Sequence, residues 1–167
     1  MLRDATPADF PAILALNEAF VTVLSPLDAE RLTQLHAQAA MHRVIERNGR
    51  VEAFLLAFRE GADYDGVNYR WFAQRYSRFL YVDRIVVADG GQAQGAGSRL
   101  YRDVCERALD DAVPFITCEF DIDPPNPASV RFHARQGFHE VAQRALEIGK
   151  TVSMQVLDVA DAVSGEA

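Results

Sequence analysis

The sequence is poor in cysteine and in long apolar runs, and both shortages exclude whole classes of protein. Its 167 residues include two cysteines, Cys105 and Cys118. A disulfide framework or a zinc site needs more cysteines than two. Both cysteines lie in segments with a periodic apolar pattern, so we expect two buried free thiols. No run approaches the ~20 apolar residues of a membrane span, and the N-terminus lacks the basic and apolar parts of a signal peptide. We therefore expect a cytoplasmic protein with no membrane partner.

Basic residues are also too few and too scattered to bind a nucleic acid. The chain has 24 acidic against 17 basic residues, a formal net charge of -7, and no dense Lys/Arg cluster. An acidic surface attracts cationic small molecules or basic peptides instead. With 49% hydrophobic residues, the length suits one compact domain with a sizeable core.

Cap and turn signals divide the chain into alternating helices and strands. Thr6-Pro7-Ala8-Asp9 begins a first helix, and Ser25 caps a second one. Asn48-Gly49 joins two strands as a hairpin. The glycine-containing, aromatic-rich segment 61–76 is predicted as a loop, either a substrate lid or an insertion that covers the core.

The second half reads as strands at 78–87 and 113–122, each followed by a helix, and a last hairpin that turns near Gly149. The order β α α β β, then β α β α β β, predicts an α/β (α+β) fold with a mixed central sheet and helices on both faces. We expect one domain over residues 1–157 and a frayed tail over 158–167.

Four glycines and several small residues stand between the strand at 78–87 and the helix after it, in "GGQAQGAGSRL". A glycine-rich loop at a helix N-terminus offers backbone N–H groups to an anion, most often a phosphate. The Gly-Lys-Ser/Thr ending of a P-loop is absent, and a dinucleotide-binding fingerprint would follow the first strand with a different spacing.

Two motifs on either side of the strand at 113–122 carry a family resemblance. Residues 92–97, "QAQGAG", match the signature Q/R-x-x-G-x-G/A, and "NPASVRFHARQGF" is similar to N-x-x-S-x-x-F-Y-x-x-x-G-F. Together they resemble the GNAT superfamily of N-acetyltransferases, and the element order is similar to that fold from end to end. The resemblance implies a GNAT-like acetyltransferase domain over residues 1–157. It also implies an acetyl-CoA cleft between the strands at 78–87 and 113–122, which are β4 and β5 of the family.

The resemblance implies a site for acetyl-CoA. The pyrophosphate would rest on the glycine loop, and the pantetheine arm would bond to backbone groups of the strand at 78–87. Asn126 would bind the cofactor or hold the turn, and a helix N-cap is a compatible second role. The implied cofactor-binding residues are Ile85, Val87, Gln92, Gln94, Gly95, Ala96, Gly97, Ser98, Asn126, Ser129 and Phe132.

Acid and base candidates follow from the chemistry of amine acetylation. His133 stands where the family has a tyrosine as general acid, and it is either the acid here or an ordinary packing histidine. The ammonium must lose a proton, and Asp83 is the first candidate base, ahead of Glu119, with Glu18 or no dedicated base as alternatives. Asp83 and Arg84 are successive strand residues, so we expect them on opposite faces and not paired.

The acceptor pocket would lie, by the resemblance, near the first two helices and the 61–76 segment. Its candidate residues are Asn17, Glu18, Tyr64, Asp65, Asn68, Tyr69, Trp71 and Tyr81. Acids and aromatics suit a cationic amine on a small molecule or peptide. The leading hypothesis is direct acetyl transfer to such an amine. The alternative is a non-catalytic acyl-CoA-binding or sensor domain. No metal is expected, and a homodimer through the last strands is compatible with the fold.

Overall fold

The computed structural model describes residues 1–20, 26–90, 95–146 and 149–164, and it confirms the mixed α/β fold. The strands are β1 Leu2–Asp4, β2 Met41–Arg47, β3 Arg50–Arg59, β4 Leu80–Val87, β5 Phe115–Asp123, β6 His139–Leu146 and β7 Lys150–Asp158. The helices are α1 Phe10–Ala19, α2 Ala29–Gln38, α3 Val67–Ala73, α4 Ala96–Asp110, α5 Pro127–Gln136 and α6 Val159–Ser164, with a 3-10 turn at Pro7–Asp9. The strand order is β1-β2-β3-β4-β5-β7-β6.

By compactness the chain divides into two units, each built from two stretches. The first comprises Met1–Tyr64 and Val82–Asp103, and the second Asp65–Tyr81 and Val104–Ala167. Strand β4 contributes its first two residues to the second unit and the rest to the first. The predicted domain boundaries at 157 and 158 stay a prediction.

The first unit is organised by the β2–β3 hairpin. Asn48 and Gly49 both have positive φ, 53° and 76°, as a two-residue turn of the predicted kind requires. Strand β3 is buried through most of its length, and Phe54 packs in a core with Phe10 and Ile13 of α1. At the helix entry Asp9 accepts a hydrogen bond from the Thr6 N–H at 2.8 Å, so the predicted start signal is confirmed.

The second unit contains the parallel pair of the sheet. Leu80 of β4 lies opposite Ile116 of β5, and Tyr81 lies opposite Thr117. Strand β7 then pairs antiparallel with both β5 and β6. These registers place Glu119 of β5 and Met154 of β7 on one rung, and Asp121, Val152 and Arg144 on the next rung but one.

Helix α5 has the caps that its sequence predicts. The side chain of Asn126 accepts a hydrogen bond from the Ser129 N–H, and Pro127 stands at the first helical position. At the other end Gly137 adopts φ of 104°. The N-cap role of Asn126 is therefore confirmed, while its contact with a cofactor stays a prediction.

Four local expectations differ from the structure. Asp28 caps α2 by accepting a hydrogen bond from the Arg31 N–H at 2.7 Å; Ser25, the predicted cap, lies outside the described residues. Segment 61–76 contains helix α3, because Tyr69 and Phe72 are buried at a helical spacing of three. The expected tail includes α6, whose Val159 is 3% exposed. Cys118 is buried as expected, but Cys105 is partly exposed.

Candidate active site

The glycine loop leads into the longest helix, α4. Of the residues predicted to hold the pyrophosphate, Gln92 and Gln94 lie outside the described residues. Gly95 adopts φ of 72°, and a Cβ built there would meet no atom of the described residues within 4 Å. Its carbonyl accepts the Arg99 N–H at 3.0 Å, which closes the first turn. Ala96 and Gly97 are buried, and Ser98 is exposed. Since the first N–H groups of an α-helix have no acceptor within it, this turn has donors suited to an anion.

Strand β4 has one buried face and one partly exposed face. Val82, Arg84 and Val86 are buried, whereas Ile85 and Val87 are half-buried. A half-buried face leaves the edge of the backbone closer to solvent than the core positions do. The two residues predicted to bind the pantetheine arm therefore belong to the more accessible set.

Glu119 is held by a tyrosine in the second unit. The Tyr81 hydroxyl donates to Oε1 and Oε2 of Glu119, both at 2.8 Å. Tyr81 is 2% exposed and Glu119 is partly exposed. Tyr81 thus supports a candidate base, and its predicted contact with the acceptor stays a prediction.

Asp83 is engaged on both carboxylate oxygens in the first unit. Oδ2 accepts from Nε of Arg84 at 2.7 Å, and Oδ1 accepts from the Tyr64 hydroxyl. Arg84 in turn donates to Oδ1 of Asn17, which is 1% exposed, at 2.9 Å. The expectation that Asp83 and Arg84 do not pair is wrong. The long arginine side chain reaches back to its neighbour, because a buried guanidinium needs a carboxylate partner.

The Asp83 network includes two residues that were predicted to line the acceptor pocket, and their contact with an acceptor stays a prediction. Asn17 serves as a buried partner of Arg84, and Tyr64 stacks on Phe58 with ring centroids 4.4 Å apart. Tyr64 also lies 5.8 Å from the guanidinium of Arg31. Glu18 is exposed, and the structure does not bring it into the network. No signal in the sequence identified Arg84 as the centre of this cluster.

His133 is a buried histidine among aromatic rings. Its ring centroid lies between 5.3 and 5.4 Å from those of Phe120, Phe132 and Phe138. Nδ1 lies 2.8 Å from the Ser129 carbonyl, a distance at which it donates its proton. Burial lowers the pKa of His133, although the hydrogen bond to Ser129 acts in the opposite direction. The imidazole is therefore neutral at pH 7, with its Nδ1 proton directed at the backbone.

Helix α3 positions the remaining candidates. Tyr69 is buried, with its ring 5.6 Å from that of Tyr81, and Trp71 is partly exposed beneath the guanidinium of Arg75 at 3.9 Å. Asn68 accepts a hydrogen bond from Nη1 of Arg144 at 3.0 Å. Arg144 was not predicted. Its place on the same face as Glu119 follows from the register of β5, β7 and β6, which the sequence alone does not give.

Within residues 1–20, 26–90, 95–146 and 149–164, no three His, Cys, Asp or Glu side chains are grouped to hold a metal ion. In the same residues, none of the helices is both long and apolar enough to cross a membrane.

Comparison with known proteins gives a family model and many similar structures. The model described as the acetyltransferase (GNAT) family matches residues 10–138. Ard1 from Thermoplasma volcanium is similar with a TM-score of 0.77 at 14% identity, covering 95% of this chain and 96% of that one. A ribosomal-protein-alanine N-acetyltransferase from Brucella melitensis gives 0.70 at 21% identity, covering 95% and 99%.

One similar structure contains a bound cofactor. The acetyltransferase yncA from Salmonella typhimurium, solved with acetyl-CoA, has a TM-score of 0.70 at 18% identity, covering 95% of this chain and 93% of that one. At these identities the likeness concerns the fold. No curated protein matches the sequence significantly.

Proposed function

This chain belongs to the GNAT acetyltransferase family and is an acetyltransferase, and from that premise we propose that it transfers acetyl directly from acetyl-CoA to an amine. The amine nitrogen attacks the thioester carbonyl carbon, a C–N bond forms, and the C–S bond breaks. The departing CoA thiolate takes up a proton. Because the amine attacks the thioester directly, no covalent enzyme intermediate is required, and the Cys118 thiol of β5 is buried.

The observation that carries this proposal is the turn from Gly95 into α4. Gly95 is exposed and left-handed, so no side chain covers the backbone at the point where a bulky anion would approach. We propose that this turn binds the pyrophosphate of acetyl-CoA, and that backbone groups of Ile85 and Val87 bind its pantetheine arm. The contributions of Gln92, Gln94 and Ser98, and those of Asn126, Ser129 and Phe132, stay predictions.

Glu119 is the better supported of the two leading base candidates. Asp83 already neutralises Arg84 and accepts from Tyr64, so a substrate ammonium would compete with a guanidinium for it. Glu119 accepts from the Tyr81 hydroxyl, which is neutral and orients the carboxylate. We propose that Glu119 takes the ammonium proton, directly or through a water molecule, before the amine attacks.

Burial and the hydrogen bond to Ser129 make His133 a poor candidate for the general acid. A neutral imidazole whose proton is donated to the Ser129 carbonyl has no acidic proton ready for a thiolate. The role stays a prediction, and His133→Gln tests it. If His133 is the acid, kcat falls on the order of 100-fold; if it only packs, stability falls and kcat changes little.

Calorimetric titration tests the donor site. Acetyl-CoA is titrated into the wild-type protein, into Gly95→Glu and into the control Gly61→Glu, which places the same charge at another open glycine with φ of 81°. We expect saturable binding that Gly95→Glu abolishes and Gly61→Glu retains. Equal loss in both variants, or no binding at all, would contradict the proposed site.

Thiol release from acetyl-CoA over pooled amines tests the transfer itself. We expect release with one class of amine, and loss of kcat on the order of 100-fold or more in Glu119→Gln. The same measurement on Asp83→Asn distinguishes the two carboxylates. Acetyl-CoA binding without release of the CoA thiol in the presence of any amine would favour a non-catalytic acyl-CoA-binding domain.

A cytoplasmic location and a homodimer stay predictions.

A further inference from the structure

Arg144 and Glu119 provide opposite charges on one face of one sheet. Glu119 lies on the β5–β7 rung with Met154, and Ala142 of β6 continues that rung. Arg144 lies two residues further along β6, on the rung with Val152. Residues on one rung, and those two apart along a strand, face the same side of a sheet. The two side chains therefore leave the same face.

Sheet geometry sets the distance between these two groups. Two steps between neighbouring strands span about 9.6 Å, and two residues along a strand span about 6.7 Å. The Cα atoms of Glu119 and Arg144 are consequently about 12 Å apart. A hydrogen bond at each end occupies roughly 2.9 Å. The remaining length is about 6 Å when the two side chains stand upright from the sheet, and it shortens toward the ammonium-to-carboxylate distance within one amino acid as they lean toward each other.

The guanidinium of Arg144 is held in place by an amide. Its Nη1 donates to Oδ1 of Asn68 on α3, and the following residue of that helix, Tyr69, contacts the Tyr81 ring. Tyr81 is the residue whose hydroxyl holds Glu119. One short helix thus links the supports of both charged groups. An arginine fixed by one bond keeps further N–H groups in a planar fork that fits a carboxylate.

Of the two cations on this part of the sheet, Lys150 and Arg144, we consider Arg144 the one suited to bind an incoming carboxylate. Lys150 of β7 lies 3.4 Å from Asp121, whose side chain is 8% exposed, so that lysine is already paired. Arg144 is only partly exposed, which weakens competition from water and salt.

We propose that the acceptor is a free amino acid or a similarly small amino-carboxylate, whose amine meets Glu119 and whose carboxylate binds Arg144. This inference rests on the proposed function and narrows its substrate class. At a protein N-terminus the α-carboxyl group is part of a peptide bond, and a polyamine has no carboxylate, so neither offers the free α-amino-carboxylate pair that would occupy both groups.

The test compares acceptors that differ only in the carboxylate. The common α-amino acids, β-alanine and γ-aminobutyrate are assayed by thiol release, each beside its carboxamide, with spermidine and an alanine-terminated peptide as the other classes. We expect an amino acid to exceed its carboxamide at least tenfold in kcat/KM. Equal rates for acid and amide, or a preference for spermidine or the peptide, would overturn the inference.

Variants then assign the carboxylate contact to Arg144. We expect Arg144→Gln to raise KM for the amino acid about 10- to 100-fold, with a smaller change in kcat and none for the carboxamide. Arg144→Lys should recover part of this loss, since it restores charge without the planar fork. Arg135→Gln, a matched loss of charge at an exposed position of α5, should behave as wild type.

Acetyl-CoA titration of the same variants separates the two levels of inference. Intact donor binding and turnover with no effect of Arg144→Gln on KM would refute the amino-carboxylate acceptor and leave the acetyltransferase mechanism standing. Absence of turnover with every acceptor, despite donor binding, would refute both.

Discussion

At the scale of single residues, the burial of His42 makes the stability of the fold sensitive to acid. His42 of β2 is 6% exposed, and its Nδ1 lies 2.7 Å from Nδ1 of His36. Burial, followed by repulsion from His36, lowers the pKa of His42 to about 4, against the opposing effect of Asp9. Nε2 of His42 has no hydrogen-bond partner among the described residues. The folded state therefore requires a neutral ring at this position.

We predict that His42 causes part of the loss of stability below pH 6.5. The unfolded chain binds this proton near pH 6.5 and the folded chain only near pH 4, so the free energy of unfolding falls as pH drops through that window. The loss is on the order of 3 kcal/mol at most. Urea unfolding between pH 7.5 and 4.5 measures this loss. The free energy of unfolding of His42→Phe should decline less steeply than that of the wild type. His139→Gln, a substitution at an exposed histidine, should follow the wild-type decline. Parallel curves for wild type and His42→Phe would contradict this.

A second prediction concerns the acid end of the range. The Asp9 carboxylate accepts two hydrogen bonds from Arg3, both at 2.8 Å, which chiefly lower its pKa to about 2. A carboxylate with a lowered pKa stabilises the fold above its unfolded value near 3.8 and loses that effect as pH falls toward 2. Asp9→Asn should therefore reduce the urea midpoint at pH 7, with the difference shrinking between pH 4 and 2.

The control for Asp9 is another acid in the same unit. Asp4 pairs with Arg43, but its side chain is 84% exposed, and exposed ion pairs contribute little. Asp4→Asn should leave the urea midpoint nearly unchanged. If both substitutions lowered the urea midpoint equally, burial of the Arg3–Asp9 pair would not explain its contribution to stability.

At the scale of elements, the connection from α5 to β6 depends on a left-handed residue. Gly137 has φ of 104°, and the Phe138 N–H that follows it bonds to the His133 carbonyl at 3.1 Å. A Cβ at this position would meet the Leu157 side chain at 3.7 Å, an ordinary contact. Substitution therefore adds backbone strain without a clash.

We predict that Gly137→Ala lowers the free energy of unfolding by about 1–2 kcal/mol. Gly137→Asn should cost less, because asparagine adopts left-handed conformations more readily. Urea unfolding of the three proteins checks the order. Equal stability of the alanine and asparagine variants would argue against strain as the cause.

The elements also show what sequence reasoning could and could not reach. Local signals sufficed where a few adjacent residues decide the conformation, as at Asn48-Gly49 and at Asn126-Pro127. They failed for α3, because its helix is stabilised by burying Tyr69 and Phe72 against residues distant in sequence.

The same limit applies to the candidate site. The motif identified the glycine turn, since close backbone approach requires glycine wherever it occurs. The bonds from Tyr81 to Glu119 and from Arg144 to Asn68 join residues 38 and 76 positions apart. Such pairs follow from strand register and not from composition, so the roles of these residues became visible only in the structure.

At the scale of the whole molecule, the net charge of -7 distinguishes classes of acceptor. A negative protein attracts a polycation over a Debye length of about 30 Å at 0.01 M salt and about 10 Å at 0.1 M. A zwitterionic amino acid has no net charge and gains little from such attraction. With saturating acetyl-CoA, kcat/KM for the preferred acceptor should change less than about twofold over that range. A tenfold fall with salt would indicate a cationic acceptor instead.

Trp71 gives this protein an optical reporter. It is the only tryptophan in the chain, it lies on α3 three residues after Asn68, and a guanidinium lies 3.9 Å from its ring. Indole emission responds to nearby charge and to water, so a shift of the cation or of the helix alters both intensity and wavelength. Selective excitation of this one fluorophore would follow occupation of the neighbouring Asn68–Arg144 pair in real time, without a label and without turnover.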